Sequence, residues 1–567
     1  MNNECKKRIM SEDFADLMIE KGNDLNKIRD TLDVCYVDMI ENTVSVYTPV
    51  SQVPPNIMQL YGYSAIPNCY GTLDEGSIEA SGISKVQNIP NLSLKGQGVL
   101  IGVVDTGINY TLDIFRNADG TTKIFSIWDQ SIDSENNMPE GFLYGTEYSR
   151  NQINEALKDK SPLTIVPSTD TVGHGTYLAG IAAGNESKEN HFVGVVPEAE
   201  LLIVKLKPAK KNLKKFWVIP DETLCFQKND LIYGIRYLVE TAKKAGRPLS
   251  IIIGIGTSEG AHDDKGALSR YLSDIASLSG VAVTIAGGNE GNRNLHYSGT
   301  ITAPAYNDTF ELKVSANNSG FTMEIWGETP STFSIDILSP YGEFIPRIPA
   351  RLNETRNITF IFDQTNISLD YIISESQSGV QLLMLRFLMP TEGIWRITVY
   401  SNDKLSLLYH AWLPIHQFIN EGTGFLKPDQ YTTVTSPGNV EVPMVATAYD
   451  YSNNSLYTYA GRGYTRNNLI VPTYAAPGVN LVVPTIDNKF KVETGTSLSA
   501  AHIAGIAAMF LEWGIIKGKY SQMNTVEIKN FLIRGAVRTQ NLTYPNKDWG
   551  YGVVDVFNAY NTLRINI

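Results

Sequence analysis

Apolar segments recur along the chain from Gly98 onward and alternate with segments of helical periodicity. Four of them are "GVLIGVVDTGI", "AELLIVKLK", "LSIIIGIG" and "GVAVTIAGGNEG". Continuous Val, Ile and Leu runs bounded by glycine are typical of parallel strands that are covered on both faces. The pattern therefore predicts an α/β domain with a parallel sheet, whose ligands bind at the carboxyl ends of the strands.

Between Tyr297 and Ser436 the pattern changes to seven short, alternating, turn-bounded runs, of which "FTMEIWGE" and "GIWRITVYS" are examples. Alternation at this spacing is typical of an antiparallel β-sandwich or a jelly roll. Because the α/β pattern resumes after this region, we expect the sandwich to be an insertion in the α/β domain.

The residues before the α/β pattern predict a small α+β unit. Ser11 is a candidate N-cap for a helix that would carry Phe14, Leu17 and Met18 on one face. The runs "CYVDMI" and "NTVSVYTPV" predict a hairpin that turns near Glu41-Asn42. The polar, glycine-containing stretch "YGTLDEGSIEASG" then predicts an exposed connector.

A chain of 567 residues is too long for one ordinary core, so several domains are expected. The changes of pattern divide the chain into four parts. They are an N-terminal unit over 1–75, a first part of the α/β core over 76–300, the inserted β-sandwich over 301–435 and a second part of the core over 436–567.

Composition and charge argue against two classes of function. The formal net charge of -12 argues against a general nucleic-acid binder, and we expect the one basic cluster, Lys207 to Lys215, to be a solvated loop. The N-terminal residues contain no apolar core of the kind a Sec signal has. No apolar run approaches the ~18 residues of a membrane span.

Four cysteines, Cys5, Cys35, Cys69 and Cys225, do not make a disulfide framework in so long a chain. No CxxC spacing suggests zinc either. We therefore expect four free thiols.

The stretch "ETGTSLSAAHIAG" places Ser497 at the start of an apolar helix of small residues. One interpretation is a buried helix with a Ser or Thr cap. The other is a nucleophile, because a serine at a helix start lies beside free N–H groups and the positive end of the helix dipole, which stabilise an oxyanion. Partners elsewhere in the chain have to decide between the two.

Three residues at or near the ends of predicted strands and helices could be those partners. Asp105 ends the strand "LIGVVD", His174 lies in "GHGTYLAG", and Asn289 follows a strand in "AGGNEG". Each alone is often a structural turn residue. Together they supply a base, a carboxylate that orients it and an oxyanion donor, which is what a nucleophilic serine requires.

The chain resembles the subtilisin-like serine proteases in five motifs and in the order of those motifs. They are "VVDTGI", "GHGTYLAG", "AGGNEG", "YAAPGVN" and "GTSLSAAHIAG". The resemblance implies a subtilisin-like core with Asp105, His174 and Ser497 as the triad and Asn289 as the oxyanion donor. The resemblance also implies substrate-binding residues in the stretches "GIGTSEG" and "AGGNEG", namely Gly254, Ile255, Gly256, Gly287 and Gly288.

The chain departs from the family pattern at Ala501, where the family usually has proline. His502 matches a non-catalytic family histidine, and we expect it to be structural. We expect no cofactor and no metal site. Asp263 and Asp264 could ligate Ca²⁺, but no contiguous loop of oxygen ligands is evident, so calcium binding stays open.

Within the family, the chain is most like the Csp germination proteases of clostridial spores, and among them the active CspB-like branch. The resemblance lies in the short N-terminal unit, the segments "KIFSIWDQSI" and "YGTEYSRNQINEALK", and the insertion between Asn289 and Ser497. It implies a spore protein, retained without a Sec signal, that activates a cortex-hydrolase zymogen by limited proteolysis. Related pseudoproteases are further candidate partners. The alternatives are a signalling pseudoprotease or scaffold, and a general degradative subtilase.

The N-terminal unit is expected to act as a prodomain and intramolecular chaperone. We expect Ser497 to cut the connector between about residues 65 and 80, because a segment held in the cleft is at very high effective concentration. The released unit is expected to stay bound to the core in cis.

Overall fold

The computed structural model describes residues 3–40, 42–72, 81–88, 92–134, 137–352 and 354–564. The elements of the N-terminal domain are the helices α1 (Asn3–Met10), α2 (Asn23–Thr31) and α3 (Ile57–Tyr61) and the strands β1 (Phe14–Glu20), β2 (Cys35–Ile40), β3 (Thr43–Pro49) and β4 (Cys69–Thr72). Three of the strands form an antiparallel sheet in the order β1-β3-β2. The predicted hairpin is therefore confirmed; its turn contains Asn42, and Glu41 lies outside the described residues.

The predicted helix after Ser11 is wrong, because Phe14, Leu17 and Met18 lie in strand β1. Ser11 instead accepts a hydrogen bond from the amide of Asp13 in a turn (3.2 Å). Both faces of β1 are buried: Leu17 and Met18 pack into different apolar clusters on opposite sides of the strand. A strand buried on both faces lacks the polar alternation that would have identified it in the sequence.

The cysteines also differ from the expectation. Cys5 in α1 and Cys35 in β2 form a disulfide with a Cα–Cα distance of 5.5 Å. Cys69 and Cys225 are free and buried. The pairing arises because α1 packs on the sheet beside β2, and cysteine spacing in the sequence does not reveal such a contact.

The first part of the core and the insertion follow the N-terminal domain. The first part has the strands β5 (Leu100–Asp105), β6 (Ile124–Asp129), β7 (Thr146–Ser149), β8 (Glu200–Lys205), β9 (Phe226–Gln227), β10 (Leu249–Ile253), β11 (Ile255–Gly256) and β12 (Val281–Ala286) and the helices α4 (Ile83–Asn88), α5 (Arg150–Ala156), α6 (His174–Ala183), α7 (Lys211–Trp217), α8 (Lys228–Lys244) and α9 (Ala267–Ala276). The insertion has the strands β13 (His296–Ile301), β14 (Asn307–Val314), β15 (Gly320–Gly327), β16 (Phe333–Leu338), β17 (Phe344–Ile348), β18 (Glu354–Thr359), β19 (Asn366–Ile372), β20 (Gln381–Leu388), β21 (Gly393–Ser401), β22 (Leu407–Trp412) and β23 (Gly424–Phe425).

The second part of the core completes the sheet. Its elements are the strands β24 (Met444–Asp450), β25 (Ser455–Leu456), β26 (Tyr474–Pro477), β27 (Leu481–Pro484) and β28 (Phe490–Glu493) and the helices α10 (Thr496–Leu511), α11 (Thr525–Gly535) and α12 (Val556–Arg564). Strands β24-β12-β10-β5-β8-β6 are hydrogen-bonded in this order and are all parallel. Alternate residues of β5 enter separate clusters on the two faces, for example Ile101 on one and Leu100 on the other. The predicted α/β parallel-sheet core is thus confirmed.

One helical segment among the described residues, Thr496–Ile516, is long and apolar enough to cross a membrane by length and composition alone. Its best window has a mean hydropathy of 1.5, and 83% of that window is buried inside the fold. The segment begins with α10, which packs on β10, β12 and β24 of the parallel sheet. Its apolarity is therefore used in the core of the protein.

The insertion is a sandwich of two antiparallel sheets, with strand orders β13-β22-β15-β20-β19-β18 and β17-β16-β21-β14-β23. Their inner faces share one apolar cluster, which includes Trp395 and Phe387. The predicted β-sandwich is therefore present, whereas the jelly-roll arrangement stays a prediction. The sandwich also contacts the N-terminal domain, since Tyr63 donates to Glu324 (2.7 Å) and Gln59 to Asp370 (2.7 Å).

The basic cluster Lys207 to Lys215 is not the solvated loop that was expected. Lys211 and Lys215 are exposed on α7, but Lys207 and Lys210 are only 5% and 4% exposed. Lys207 pairs with Asp230 in the core, and Lys210 pairs with Asp16 in the N-terminal domain. Burial of an ammonium group is unfavourable unless a carboxylate or hydrogen-bond acceptors compensate it, and sequence alone did not reveal these partners.

Buried imidazoles in the sandwich give its stability a pH dependence. The His296 ring stacks on Trp412 (4.9 Å), and its two nitrogens contact the Asp429 carbonyl (3.1 Å) and His410 Nδ1 (2.9 Å). Burial lowers the pKa of His296 from 6.5 to about 4. Between these values the unfolded chain binds a proton that the folded chain does not, so stability present above pH 6.5 is lost as the pH falls.

We expect this histidine to contribute a loss of about 2 kcal/mol in the free energy of unfolding between pH 7 and pH 5. The measurement is the unfolding free energy at both pH values for the wild type and His296→Asn. The variant is less stable at pH 7 but should lose less stability on acidification. His191→Gln, at an exposed position, should follow the wild type. Equal losses in wild type and His296→Asn would contradict this assignment.

Candidate active site

Asp105, His174 and Ser497 are brought together by three separate elements. Asp105 ends β5, His174 begins α6, and Ser497 is the second residue of α10. His174 Nδ1 lies 2.7 Å from Asp105 Oδ1, and His174 Nε2 lies 3.1 Å from Ser497 Oγ. Since a carboxylate only accepts hydrogen bonds, Nδ1 carries the proton and Nε2 can accept one from the serine. All three side chains are buried, with exposures of 0%, 2% and 0%.

The backbone around His174 is fixed by a buried carboxylate and two glycines. Asp170 accepts hydrogen bonds from the amides of Gly173 (2.8 Å) and Thr176 (3.0 Å) and so holds the first turn of α6. Gly173 has a φ of 104°, which favours glycine. A Cβ on Gly175 would lie 2.2 Å from the carbonyl oxygen of Gly107. The helix start is thus packed directly on the turn that follows Asp105.

Asn289 is oriented toward the start of α10. Its Oδ1 accepts hydrogen bonds from the amide and the hydroxyl of Thr496, both at 3.2 Å. Because Oδ1 is engaged, the donor group Nδ2 is available for another acceptor. The amide of Ser497 belongs to the first turn of α10, where N–H groups have no partner within the helix. Asn289 and the Ser497 amide thus meet at the first turn of α10, where an oxyanion site would need its donors.

The glycines predicted for substrate binding fall into two groups. Gly254 lies against the catalytic candidates, since a Cβ there would lie 3.1 Å from His174 Cε1 and 3.3 Å from Asp105 Oδ2. Gly287 and Gly288 instead use their backbone groups inside the core. The amide of Gly287 donates to Ala446 (2.8 Å), and that of Gly288 donates to Thr496 Oγ1 (3.0 Å). These two glycines position Asn289 and the start of α10.

Ile255 and Gly256 form β11, and the N-terminal domain supplies its partner. Strand β4 pairs antiparallel with β11, with Thr72 opposite Ile255 and Gly71 opposite Gly256. On its other side β4 pairs antiparallel with β9. The end of the N-terminal domain is therefore the central strand of a three-stranded sheet beside His174. The range in which the cut is expected, residues 65–80, includes β4. Residues 73–80 of that range lie outside the described part of the chain.

Within the described ranges, no group of three or more His, Cys, Asp or Glu side chains is arranged to hold a metal ion. Asp263 is engaged by an ion pair with Arg466, and burial raises the pKa of Asp264 to about 6. His502 contacts Ser81 Oγ (2.9 Å) at the beginning of the core.

Sequence reasoning missed two residues that shape the site, Asp170 and Thr496. Asp170 lies four residues before His174 in "DTVGH", and Thr496 directly precedes Ser497. Their proximity to the motifs was the available signal. An aspartate or a threonine can bind many backbone groups, so the sequence does not show which ones these two residues contact at the starts of α6 and α10.

Comparison with known proteins agrees with this geometry. The Subtilase family model matches residues 96–319 and 418–553, which are more than half of the chain and exclude most of the insertion. The structure of the Clostridium perfringens CspB protease covers 86% of this chain and 98% of its own, with 30% identity and a TM-score of 0.76.

Curated relatives are more distant. The subtilisin-like protease SBT3.8 of Arabidopsis thaliana is 22% identical over 515 residues, which are 81% of this chain and 60% of that protein. The major intracellular serine protease of Bacillus subtilis is 29% identical over 181 residues, covering 32% of this chain and 48% of that protein. The chain thus spans about 60% of the plant relative's length. The family match, together with the CspB likeness, shows that the chain belongs to the subtilase family.

Proposed function

We propose that the chain is a serine endopeptidase with Asp105, His174 and Ser497 as its triad. The observation that carries the proposal is the continuous chain of hydrogen bonds from Asp105 through His174 to Ser497. A scaffold has no need for three buried side chains in this order. Membership of the subtilase family supports the same reaction.

We propose one step for each group, which the geometry supports. Ser497 Oγ attacks the peptide carbonyl while His174 Nε2 takes its proton, and Asp105 holds the imidazole and stabilises its charged form. The oxyanion of the tetrahedral intermediate accepts from Ser497 N–H and Asn289 Nδ2. His174 then gives the proton to the leaving amine. Water, deprotonated by the same histidine, releases the acyl group from Ser497.

Asn289→Ala is expected to slow cleavage by about 10² to 10³, the loss known for the equivalent residue of subtilisin. The physical reason is the removal of one of two donors to the oxyanion. The measurement is the rate of self-cleavage after refolding, and Asn289→Asp tests whether shape without the donor suffices. A loss below tenfold would remove Asn289 from the oxyanion site.

The N-terminal domain is the first substrate that the structure supports. Because β4 is antiparallel to β11, the chain leaving Thr72 runs toward the Gly254 end of β11, the end beside His174. A segment held there reacts at high effective concentration. We propose that Ser497 cuts the connector after Thr72, so that the new N-terminus lies between residues 73 and 80.

The contacts around Asp16 support retention of the cut domain. Asp16 in β1 is 6% exposed and forms an ion pair with Lys210 of the core. Its second oxygen accepts from Gln227 Nε2 and Asn229 Nδ2, both at 3.1 Å. Lys210 also donates to the carbonyl of Phe14 (3.1 Å). This buried polar contact crosses the boundary between N-terminal domain and core without any covalent bond.

Asp16→Ala is expected to release the cut domain, because a buried ammonium group without its carboxylate costs about 3 to 5 kcal/mol. The measurement is native sizing of the cut protein. Wild-type fragments should elute together, whereas those of the variant should separate. Asp13→Ala, at an exposed position, should behave as the wild type. Ser497→Ala/Asp16→Ala, which cannot be cut, reports whether the substitution permits folding. Co-elution of the Asp16→Ala fragments would contradict the anchoring role.

We propose that the external substrate is a cortex-hydrolase zymogen in a bacterial spore, cut at few positions. Support comes from the likeness to the Clostridium perfringens CspB protease and from β4, which occupies the strand position beside His174 and restricts access. The test is to incubate the purified protein with such a zymogen and sequence any new N-terminus. One defined cut supports the proposal. Broad cleavage of unfolded proteins would favour a degradative subtilase, and no cut by the wild type would favour a scaffold.

A further inference from the structure

The two free cysteines face each other across the boundary between N-terminal domain and core. Cys69 begins β4 and pairs with Gln227 of β9. Cys225 lies two residues before Gln227, and residues i and i+2 of an extended strand project to the same side. Both side chains are fully buried and lie in the same apolar cluster. The register places the two residues on diagonal positions of the same ladder, where side chains on one face are neighbours.

The surroundings make the two sulfurs unequal. The hydrogen bond from Cys69 and the ammonium group of Lys214 lower the pKa of Cys225. Lys214 is fixed nearby, since its Nζ donates to the carbonyls of Asp221 and Thr223 (both 2.7 Å). Burial raises the pKa of Cys69. Cys225 is therefore the sulfur that ionises first, which suits it as the nucleophile.

The two pairs of cysteines differ in whether they cross the boundary between the N-terminal domain and the core. The Cys5–Cys35 disulfide lies wholly within the N-terminal domain, so it cannot hold the domain to the core after a cut. Cys69 and Cys225 lie on opposite sides of the connector that the proposed function cleaves. A bond between them would cross the cut.

We propose that Cys69 and Cys225 are an oxidation site whose disulfide locks strand β4 covalently between β9 and β11. The oxidant is hydrogen peroxide. This inference rests on the proposed self-cleavage. In an uncut chain the N-terminal domain is already joined to the core by the backbone, so the disulfide adds a covalent connection between them only after the cut. In the oxidised protein β4 cannot leave the cleft, and reduction restores its ability to leave.

The chemistry is balanced in two steps. The Cys225 thiolate attacks hydrogen peroxide, breaks the O–O bond and becomes a sulfenic acid, with release of hydroxide. The Cys69 sulfur then attacks the sulfenic sulfur and forms the S–S bond. The hydroxyl group leaves as water, with the proton supplied by the Cys69 thiol. Overall, two thiols and one hydrogen peroxide give one disulfide and two waters.

The pair is tested first in Ser497→Ala, which remains one chain under the proposed function. The reduced protein is treated with stoichiometric hydrogen peroxide, its remaining thiols are blocked with N-ethylmaleimide, and it is digested with chymotrypsin without reductant. Tyr63 and Tyr70 flank Cys69 in "SAIPNCY", so Cys69 is released separately from Cys35. The peptide linked to Cys225 should increase roughly tenfold or more over untreated protein. Ser497→Ala/Cys225→Ser should show no such peptide.

The lock is then read from the cut wild type on denaturing gels. After peroxide its two fragments should migrate as one full-length species without reductant and as two with it, whereas Cys69→Ser should give two in both. Failure of Cys69 and Cys225 to link in Ser497→Ala overturns the proposal. If Cys69 and Cys225 link in Ser497→Ala but the wild type is found uncut, the cysteine proposal is supported and the proposed self-cleavage is contradicted.

Discussion

Ser497→Ala is expected to remain a single chain of 62.7 kDa, whereas the wild type divides into a short and a long fragment that elute together. The physical reason is that no other group at the site can form the acyl intermediate. Loss of the nucleophile costs about 10⁶ in turnover in subtilisin, and we expect a comparable loss here. The measurement is a denaturing gel and native sizing of both proteins, purified in parallel.

Ser499→Ala is the matched control. Ser499 is equally buried in α10, but its hydroxyl donates to the carbonyls of Ala476 (3.1 Å) and Pro477 (3.0 Å). We expect this variant to be cut as the wild type is. Equal processing of wild type and Ser497→Ala would show that another protease makes the cut.

Asp105→Asn is expected to slow self-cleavage by about 10⁴ while the fold is retained. The asparagine can present its amide N–H to His174 Nδ1, which selects the tautomer with the proton on Nε2. In that form the imidazole cannot accept the proton of Ser497. The measurement is the half-time of the cut after refolding, compared with the wild type.

Asp129→Asn controls for the loss of a buried carboxylate. Asp129 ends β6, which β8 separates from β5 in the same sheet. It is 0% exposed and accepts hydrogen bonds from Ser131 and Ser168. This variant should lose stability but keep the rate of the cut. If Asp105→Asn is cut within tenfold of the wild-type rate, the carboxylate does not orient His174 as proposed.

The sequence indicated the candidate site because each of its residues lies in or beside a local motif. Asp105 follows a run of buried strand residues, and Ser497 precedes a long apolar helix, so both positions were defined by neighbours in the chain. The parallel sheet then brings strand ends and helix starts to one edge. Local pattern and fold class, together with the resemblance to subtilisin-like proteases, predicted that Asp105, His174, Asn289 and Ser497 would meet.

Contacts between elements that are separate in the sequence were not predictable in the same way. Strand β1 has no polar face, because the core covers one side of it, and its pattern was interpreted as a helix. The sequence did not predict that Lys210 is buried, because its partner Asp16 lies in the N-terminal domain. Cys5 and Cys35 are paired by the packing of α1 on the sheet. Each error concerns a residue whose partner lies far away in the sequence.

The sequence predicted that the connector reaches the cleft, but it did not predict how strand β4 is paired there. "GIGTSEG" marked the strand beside the site, and the polar stretch "YGTLDEGSIEASG" marked the connector. Neither observation supplied the register of β4 against β11. That register depends on how the whole N-terminal domain packs on α7 and α8.

The most direct test of the account is the intact mass of the polypeptides in purified wild-type protein, measured under denaturing and reducing conditions. We predict two polypeptides whose masses add up to the full chain plus one water. The shorter should end between residues 72 and 79. A single uncut chain, or a cut elsewhere in the sequence, would contradict the claim that Ser497 hydrolyses the segment that follows β4.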